Sequence, residues 1–392
     1  MTGSRFLLSL LSTKLNQSIP QKGRKLGLSL LFWIALVAPA QAALELRVAI
    51  EENVSQVKVG SSTKAIVRDA AGQKVGEIAP MNAFYAQSAG GNVTLDRWRS
   101  GSLWVEPTGD GFVWIGDRWY RGRTRVVPTS NGLTAINYVD LEKYLYSVLG
   151  GEVYATWPQE ALKAQAVAAR TYALYQRQTR GNSVFDLGDT IAWQVYRGLE
   201  SEASSLYSAV DSTAGQVLTH NGKLILAAFH SSSGGHTENV ENVWSNSLPY
   251  LRGVPDYDSN TPEAQWVKNF SRDELSRRIS GVGNVISMVP ERVSPFGRII
   301  TMKVIGDGGT RVISGPALRK ALELRSTWFT VTSDSANKSL PSTFRIEGRG
   351  YGHGLGMSQW GAYSMANQGA NYQQIVLHYY RGATLAKIKV DN

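Results

Sequence analysis

Tyr138-Val-Asp-Leu-Glu-Lys-Tyr-Leu-Tyr-Ser-Val-Leu-Gly-Gly-Glu-Val-Tyr-Ala-Thr-Trp-Pro-Gln-Glu-Ala-Leu-Lys-Ala-Gln-Ala-Val-Ala-Ala-Arg-Thr-Tyr-Ala-Leu-Tyr-Gln-Arg177 reads as two helices joined by a short turn. Leu141, Tyr144, Leu145 and Leu149 recur at helical spacing, and Asp140 stands where a side-chain oxygen can cap the first free N–H groups. Gly150 and Gly151 predict the end of that helix, because glycine readily takes the backbone angles of a helix stop. Pro158 marks the first turn of the second helix, where its missing N–H is no loss. Ala161, Leu162, Ala166, Val167, Ala169 and Ala173 leave that helix few polar positions, which predicts burial over much of its circumference.

The turn between the helices carries Glu152. Two readings stand open for it. In one it is a solvated turn residue or the partner of Arg170, as acidic side chains in surface turns usually are. In the other it is a proton donor shielded by Tyr154 and Trp157, whose rings would raise its pKa.

Working outward, the 392 residues are enough for two or three domains. Lys22, Arg24 and Lys25 precede an apolar run from Leu26 to Val37, and small residues follow at Ala38, Ala40 and Ala42, so 1–42 reads as an export leader. The run is short for a membrane span, and membrane association is expected only if the leader stays uncleaved. Forty-one basic residues face 31 acidic ones. Five of the basic and none of the acidic residues precede position 41, so the remainder carries a net charge near +5. That balance, with no dense basic block, excludes a nucleic-acid footprint. Cysteine is absent, which excludes thiolate catalysis, disulfides and Cys-ligated metal sites.

Residues 43–129 read as a small β-rich domain. Leu44 to Ile50 alternates as a strand, and strand-like pieces recur near 63–68, 74–78, 83–87, 103–106, 112–115 and 118–127, separated by glycine-rich turns. Trp98, Trp104, Trp114 and Trp119 form either an aromatic core or a binding face. A mixed α/β body is expected over 130–257 and 341–392, interrupted by an inserted α+β unit at 258–340. The overall fold class is α+β. In the insert, Val267–Ile279 and Gly315–Leu324 predict helices, and 285–289 and 299–304 predict strands. A helix is also expected over Ser201–Val210. Asn221-Gly222 predicts a hairpin joining 217–220 to 223–230.

Two small-residue segments remain. His230-Ser231-Ser232-Ser233-Gly234-Gly235-His236 follows a strand, where small residues let a ligand approach and expose N–H donors. Its serines and histidines fit a nucleophilic pair, a two-histidine metal site lacking its further ligand, or a plain polar loop. The second segment, Gly348-Arg349-Gly350-Tyr351-Gly352-His353-Gly354-Leu355-Gly356-Met357-Ser358-Gln359-Trp360-Gly361, is neither a P-loop nor a dinucleotide fingerprint, and a helix begins near Ser358.

Four blocks together give a resemblance: Val148–Glu152 with Trp157–Ala173, Gln194–Gly198, His230–Glu238, and Gly348–Gly361. In this order they are similar to the stage II sporulation protein D family, also described as LytB-like amidase enhancers, over about residues 136–385. The resemblance implies an exported lytic transglycosylase that cuts peptidoglycan glycan strands after N-acetylmuramic acid, above all strands stripped of stem peptides. It implies a periplasmic or cell-wall location and a cell-wall amidase as partner. The family's catalytic glutamate falls on Glu152, with Val153-Tyr154 where members more often read Met-Pro. Some members hold zinc through cysteines and histidines near the Ser-Ser-Gly-Gly loop; without cysteine that metal does not carry over, and no metal or cofactor is expected.

On this resemblance a single carboxyl group suffices. Glu152 would protonate the glycosidic oxygen and take a proton from the sugar's own 6-hydroxyl, which attacks to form a 1,6-anhydro end. A hydrolase would normally need a second carboxylate. Gln194, His230, Ser231, Ser232, Ser233, His236, Arg349, His353 and Gln359 are the candidates for holding the sugar. The competing expectation is a non-catalytic protein that binds peptidoglycan and recruits or stimulates an N-acetylmuramoyl-L-alanine amidase.

Overall fold

The computed structural model describes residues 44–388 apart from 191, 245 and 335–339; the leader expected at 1–42 lies outside the described residues. The chain is α+β, with the strands gathered into several sheets. A seven-stranded sheet runs in the order 187–188, 45–54, 132–140, 123–129, 103–107, 65–68 and 74–78, and a six-stranded sheet contains 118–120, 113–115, 56–61, 82–89, 92–95 and 98–100. Alternation explains the layering: Leu46 and Val48, Val57 and Val59, and Val113 and Ile115 are all buried in one apolar core. The strands at 56–61, 92–95 and 98–100 are additions to the sequence reading. Trp98 joins the core, whereas Trp104 lies between the guanidinium groups of Arg123 and Arg125, 4.7 and 5.3 Å from its ring centroid.

Gly132–Asp140 lies antiparallel between Glu45–Val54 and Arg123–Thr129 and runs directly into the first helix, α1 (Leu141–Glu152). Asp140 caps it, accepting from the N–H groups of Glu142 (3.0 Å) and Lys143 (3.1 Å). The second helix, α2 (Gln159–Thr179), starts after Pro158 as expected and buries Ala161, Leu162, Ala166, Val167 and Ala169. The glycine expectation needs correction. α1 continues through Gly150 and Gly151 to Glu152, and neither glycine has a positive φ. Their role is close approach: a Cβ on Gly150 would lie 1.7 Å from the Ser201 carbonyl oxygen, and one on Gly151 2.8 Å from that of Val195. Interior glycines forfeit about 1 kcal/mol each relative to alanine. Burial of Leu145, Val148 and Leu149, about 1.5–3 kcal/mol per side chain, outweighs that.

The helix expected at 201–210 is α3 (Ser204–Ser212), preceded by a 3-10 turn at Gly198–Ser201. The Asn221-Gly222 turn is present, with φ of 50° and 73°, but only Lys223–Leu224 pairs with Gln216–His220. Phe229–His230 instead pairs in parallel with Met357–Ser358.

In the region expected as an insert, the helix expected at 267–279 is a strand, Gln265–Ser271, followed by α4 (Arg272–Arg278). Trp266 and Phe270, four residues apart, fit both periods; pairing with Thr343–Arg349 decides for the strand, and Ser271 caps α4 by accepting from the Glu274 N–H at 3.1 Å. Val285–Val293, Ile299–Gly306 and Gly309–Ser314 form a second sheet, against which α5 (Gly315–Ala321) packs Leu318. Two helices follow, α6 (Gln359–Asn367), capped by Ser358, and α7 (Tyr372–Tyr379), held by a capping box of Asn371 and Gln374, and the last strand, Thr384–Lys387, pairs antiparallel with Gln216–His220.

Candidate active site

Glu152 is the last residue of α1 and lies mostly below the surface while keeping an open edge. Its Oε1 accepts from the main-chain N–H of Val195 at 3.0 Å. Burial pushes the carboxyl above the ordinary glutamate range; the Val195 N–H, the Gln359 amide and the charge of Arg197 pull it back only in part. Nε2 of Gln359 is buried without a full hydrogen bond, so that amide acts on the carboxyl as a nearby dipole rather than a bonded donor. The alternative in which Glu152 pairs with Arg170 is overturned. Arg170, fully buried in α2, pairs with Glu142 (Nε–Oε1 2.9 Å) and donates to the carbonyls of Gln216 and Val210.

Beside Glu152 stands an aromatic wall built from two distant parts of the chain. Trp157 packs against Trp360 and Tyr363, with ring centroids 4.9 and 5.2 Å apart, and Tyr154 lies 5.9 Å from Trp157 and 6.3 Å from Trp360. Trp157 is buried. Tyr154 is 65% exposed, so it is an open face rather than the expected shield.

The two small-residue segments do meet. Besides the parallel pair 229–230 with 357–358, Ser232 and Tyr351 exchange main-chain hydrogen bonds at 2.9 and 2.7 Å. Trp360 N–H donates to the Ser231 carbonyl (3.0 Å), which seats the start of α6, and with it Gln359, against Glu152.

The donors of the Ser-Ser-Gly-Gly loop do not face a ligand. The Asp258 carboxylate accepts from Ser232 Oγ (2.6 Å) and from the N–H groups of Ser233 (2.6 Å), Gly234 (3.0 Å) and Gly235 (2.7 Å). Ser233 Oγ donates to Asp256 at 2.6 Å, and Asp256 is pushed up to about 6 by burial and by the neighbouring Asp258. Ser232 and Ser233 are buried and bonded to aspartates, so neither makes a Ser–His nucleophilic pair. Ser231 is half-buried.

Gln194 is likewise internal: it accepts from Tyr144 Oη and donates to the Ala169 carbonyl, both at 3.3 Å, tying α1 to α2. His230 is buried, with Nδ1 3.1 Å from the Leu355 carbonyl, and its ring lies 5.3 Å from that of His353. Burial holds His230 well below the ordinary imidazole value, and His353 is pushed down to about 4 by burial and the charges of Arg319 and Arg298. Nδ1 of His353 accepts from the Leu355 N–H at 3.0 Å, and its ring lies 5.4 Å from partly exposed Trp244. His236 stacks on Phe296 at 4.0 Å with its Nδ1 on the Thr237 carbonyl, apart from His230. Arg349 is exposed, with its guanidinium 5.6 Å from the Trp328 ring centroid. Among the described residues, no group of three or more His, Asp or Glu side chains stands in a metal-holding arrangement.

The residues that sequence reasoning missed are the Val195 N–H, Arg197, Trp360, Asp256, Asp258 and Arg298. Val195 and Arg197 lay inside a quoted block, and Trp360 followed Gln359, but nothing in their identities marked a main-chain donor to Glu152 or a ring stacked on Trp157.

Fold and site together define an α+β protein that sets one helix-end carboxylic acid beside an aromatic wall. Residues 129–220, which contain Glu152 and Val195, match the Stage II sporulation protein family, SpoIID, and residues 263–356 match a domain of unknown function, DUF8618. An uncharacterized protein of Brachyspira hyodysenteriae (strain ATCC 49526 / WA1) is 35% identical over 64% of this chain and 68% of its own length. Stage II sporulation protein D of Bacillus subtilis (strain 168) is 32% identical over 64% of this chain and 76% of its own. The amidase enhancer of the same organism is 34% identical over 62% of this chain but only 40% of its own length. The chain belongs to the stage II sporulation protein D family.

Proposed function

We propose that this protein is an exported peptidoglycan lytic transglycosylase that cuts glycan strands after N-acetylmuramic acid, preferably strands stripped of stem peptide. The observation that carries the reading is Glu152: a carboxyl raised by burial, held by the Val195 N–H and open along one edge beside Tyr154. A raised carboxyl holds its proton to higher pH than a free glutamate and so serves as an acid nearer neutrality. Protonated Glu152 gives its proton to the glycosidic oxygen as the C1–O bond breaks. The 6-hydroxyl of the same muramyl ring then bonds to C1, and its proton returns to the Glu152 carboxylate, leaving a 1,6-anhydro end and the acid as it began. Among the described residues no second carboxylate is hydrogen-bonded to Glu152, and the internal nucleophile makes one unnecessary.

Tyr154 and Trp360 supply flat faces for pyranose rings. His353, Trp244, Ser231 and Arg349 are the nearer candidates for sugar contacts, while Gln194, His230, Ser232, Ser233 and His236 support the loops from behind. The test is mass spectrometry of amidase-treated peptidoglycan after incubation with the protein. Anhydro ends released by the wild type and absent with Glu152→Gln support the reading; equal release by both defeats it.

A second reading rests on the relative named amidase enhancer: a peptidoglycan-binding protein that stimulates a cell-wall amidase. It predicts that Glu152→Gln stimulates the amidase as well as the wild type does and that neither produces anhydro ends.

A further inference from the structure

Arg298 is an unusual residue for an inserted unit to bury. It is 2% exposed, and among the described residues no carboxylate lies within ion-pair distance of it. A guanidinium buried with no direct ion pair costs stability, and here burial outweighs the favourable charges of the more distant Glu238, Asp258 and Asp256. Its Nη2 donates to the Ser233 carbonyl at 2.7 Å and reaches that of His236 at 3.5 Å, so it spans the Gly234-Gly235 turn, whose φ angles are 81° and 111°. Its other face lies against the second segment: a Cβ on Gly354 would sit 2.4 Å from Arg298 Cζ. Nε and Nη1 of Arg298, and Nε2 of His230, are buried without partners.

The rest of the 294–298 turn is docked on the same loop. Ser294 Oγ donates to Glu238 Oε2 at 2.5 Å and accepts from the Arg298 N–H at 3.0 Å, while Phe296 stacks on His236. Glu238 N–H in turn donates to the Gly354 carbonyl at 2.8 Å. This turn belongs to the region that matches the domain of unknown function, yet its contacts are made to the loops that lead to Gln359 and Trp360.

We propose that Arg298 is a positioning residue of the active site: by clamping the Ser233–His236 turn against Gly354, it sets where the two small-residue loops, and the start of α6 attached to them, stand relative to Glu152. The inserted unit is then part of the working site rather than a separate appendage. The inference rests on the transglycosylase reading for its main test.

Full-length Arg298→Met and Arg298→Lys proteins are assayed for anhydro-end release from peptide-stripped glycan, with circular dichroism and thermal melting as the report on folding. For folded Arg298→Met, kcat falls roughly ten- to a hundredfold, as expected for misplacement on the order of an ångström, while KM stays within about threefold. Arg298→Lys, which keeps a donor for the Ser233 carbonyl, recovers part of that kcat. A folded Arg298→Met protein with wild-type kcat overturns the proposal. If that variant does not fold, Arg298→Lys decides: reduced kcat with native melting supports the proposal and wild-type kcat overturns it. Should the wild type release no anhydro ends, the transglycosylase reading itself fails. The proposal falls with it in that case, whereas an active wild type with an unimpaired Arg298→Met defeats the proposal alone.

Discussion

The main-chain N–H of Val195 points at Glu152 Oε1 from 3.0 Å, although 43 residues separate the two. The contact exists because Gly151 lets the 194–198 segment lie against the last turn of α1. An N–H donor favours the carboxylate while burial favours the acid, and burial prevails. Replacing Glu152 with glutamine keeps the acceptor for Val195 but removes the transferable proton. The expected outcome is a melting temperature close to wild type and loss of anhydro-end release by roughly a hundredfold or more, as for removal of a general acid. The alkaline limb of the wild-type pH–rate profile should lie above the value for a free glutamate, because the proposed reaction needs the protonated form and burial raises the folded pKa.

Gly150→Ala tests the correction to the helix end. Alanine gains about 1 kcal/mol of helix propensity, but its methyl group would meet the Ser201 carbonyl oxygen at 1.7 Å. Overpacking against backbone costs about 3 kcal/mol or more, so the clash wins. Chemical denaturation should show net destabilisation by roughly 2 kcal/mol, and a stabilised variant would mean that the glycine only marks a helix stop.

Tyr154→Ala separates binding from folding. The side chain is largely exposed, so stability should change by no more than about 0.5 kcal/mol. If the ring stacks on a sugar, its loss should weaken glycan affinity about three- to tenfold, equivalent to roughly 0.7–1.4 kcal/mol. Isothermal titration with chitin or glycan oligosaccharides reads the difference.

Asp256 gives a pH signature to stability. Its carboxyl is raised from 3.8 to about 6 by burial and by Asp258. Between those values the folded protein holds a proton that the unfolded chain releases. This contribution is therefore favourable at low pH, declines as pH rises through the window, and is lost above about 6. The full change is about 3 kcal/mol. Asp256→Asn cannot titrate, so the slope of unfolding free energy between pH 4 and 6 should flatten; an unchanged slope would assign it to other groups.

Local signals carried much of the fold. The capped helix pair was legible because Asp140 and the apolar spacing from Leu141 to Ala173 act within one or two turns, and the Asn221-Gly222 hairpin because its φ angles depend on the two residues themselves. Tertiary approach was not legible. Gly150 and Gly151 look like a helix stop until Ser201 and Val195 are placed beside them. Trp266 and Phe270 fit both periods until Thr343–Arg349 pairs with their strand. At the site, Glu152 and Gln359 were found in the sequence, but the Ser-Ser-Gly-Gly loop was read as open to ligand because Asp258, more than twenty residues further on, gives no local sign of filling it.

The absence of any linker between Asp140 as last strand residue and Asp140 as helix cap has a mechanical consequence. Glu152 is fastened, through a single rod of helix, to the seven-stranded sheet that holds Gly132–Asp140. A force or tilt applied to the amino-terminal sheets by an attached polymer would be delivered to the acid without slack. Inserting a short flexible segment between strand and helix should therefore unseat the carboxyl from Val195 even while both halves keep their own packing.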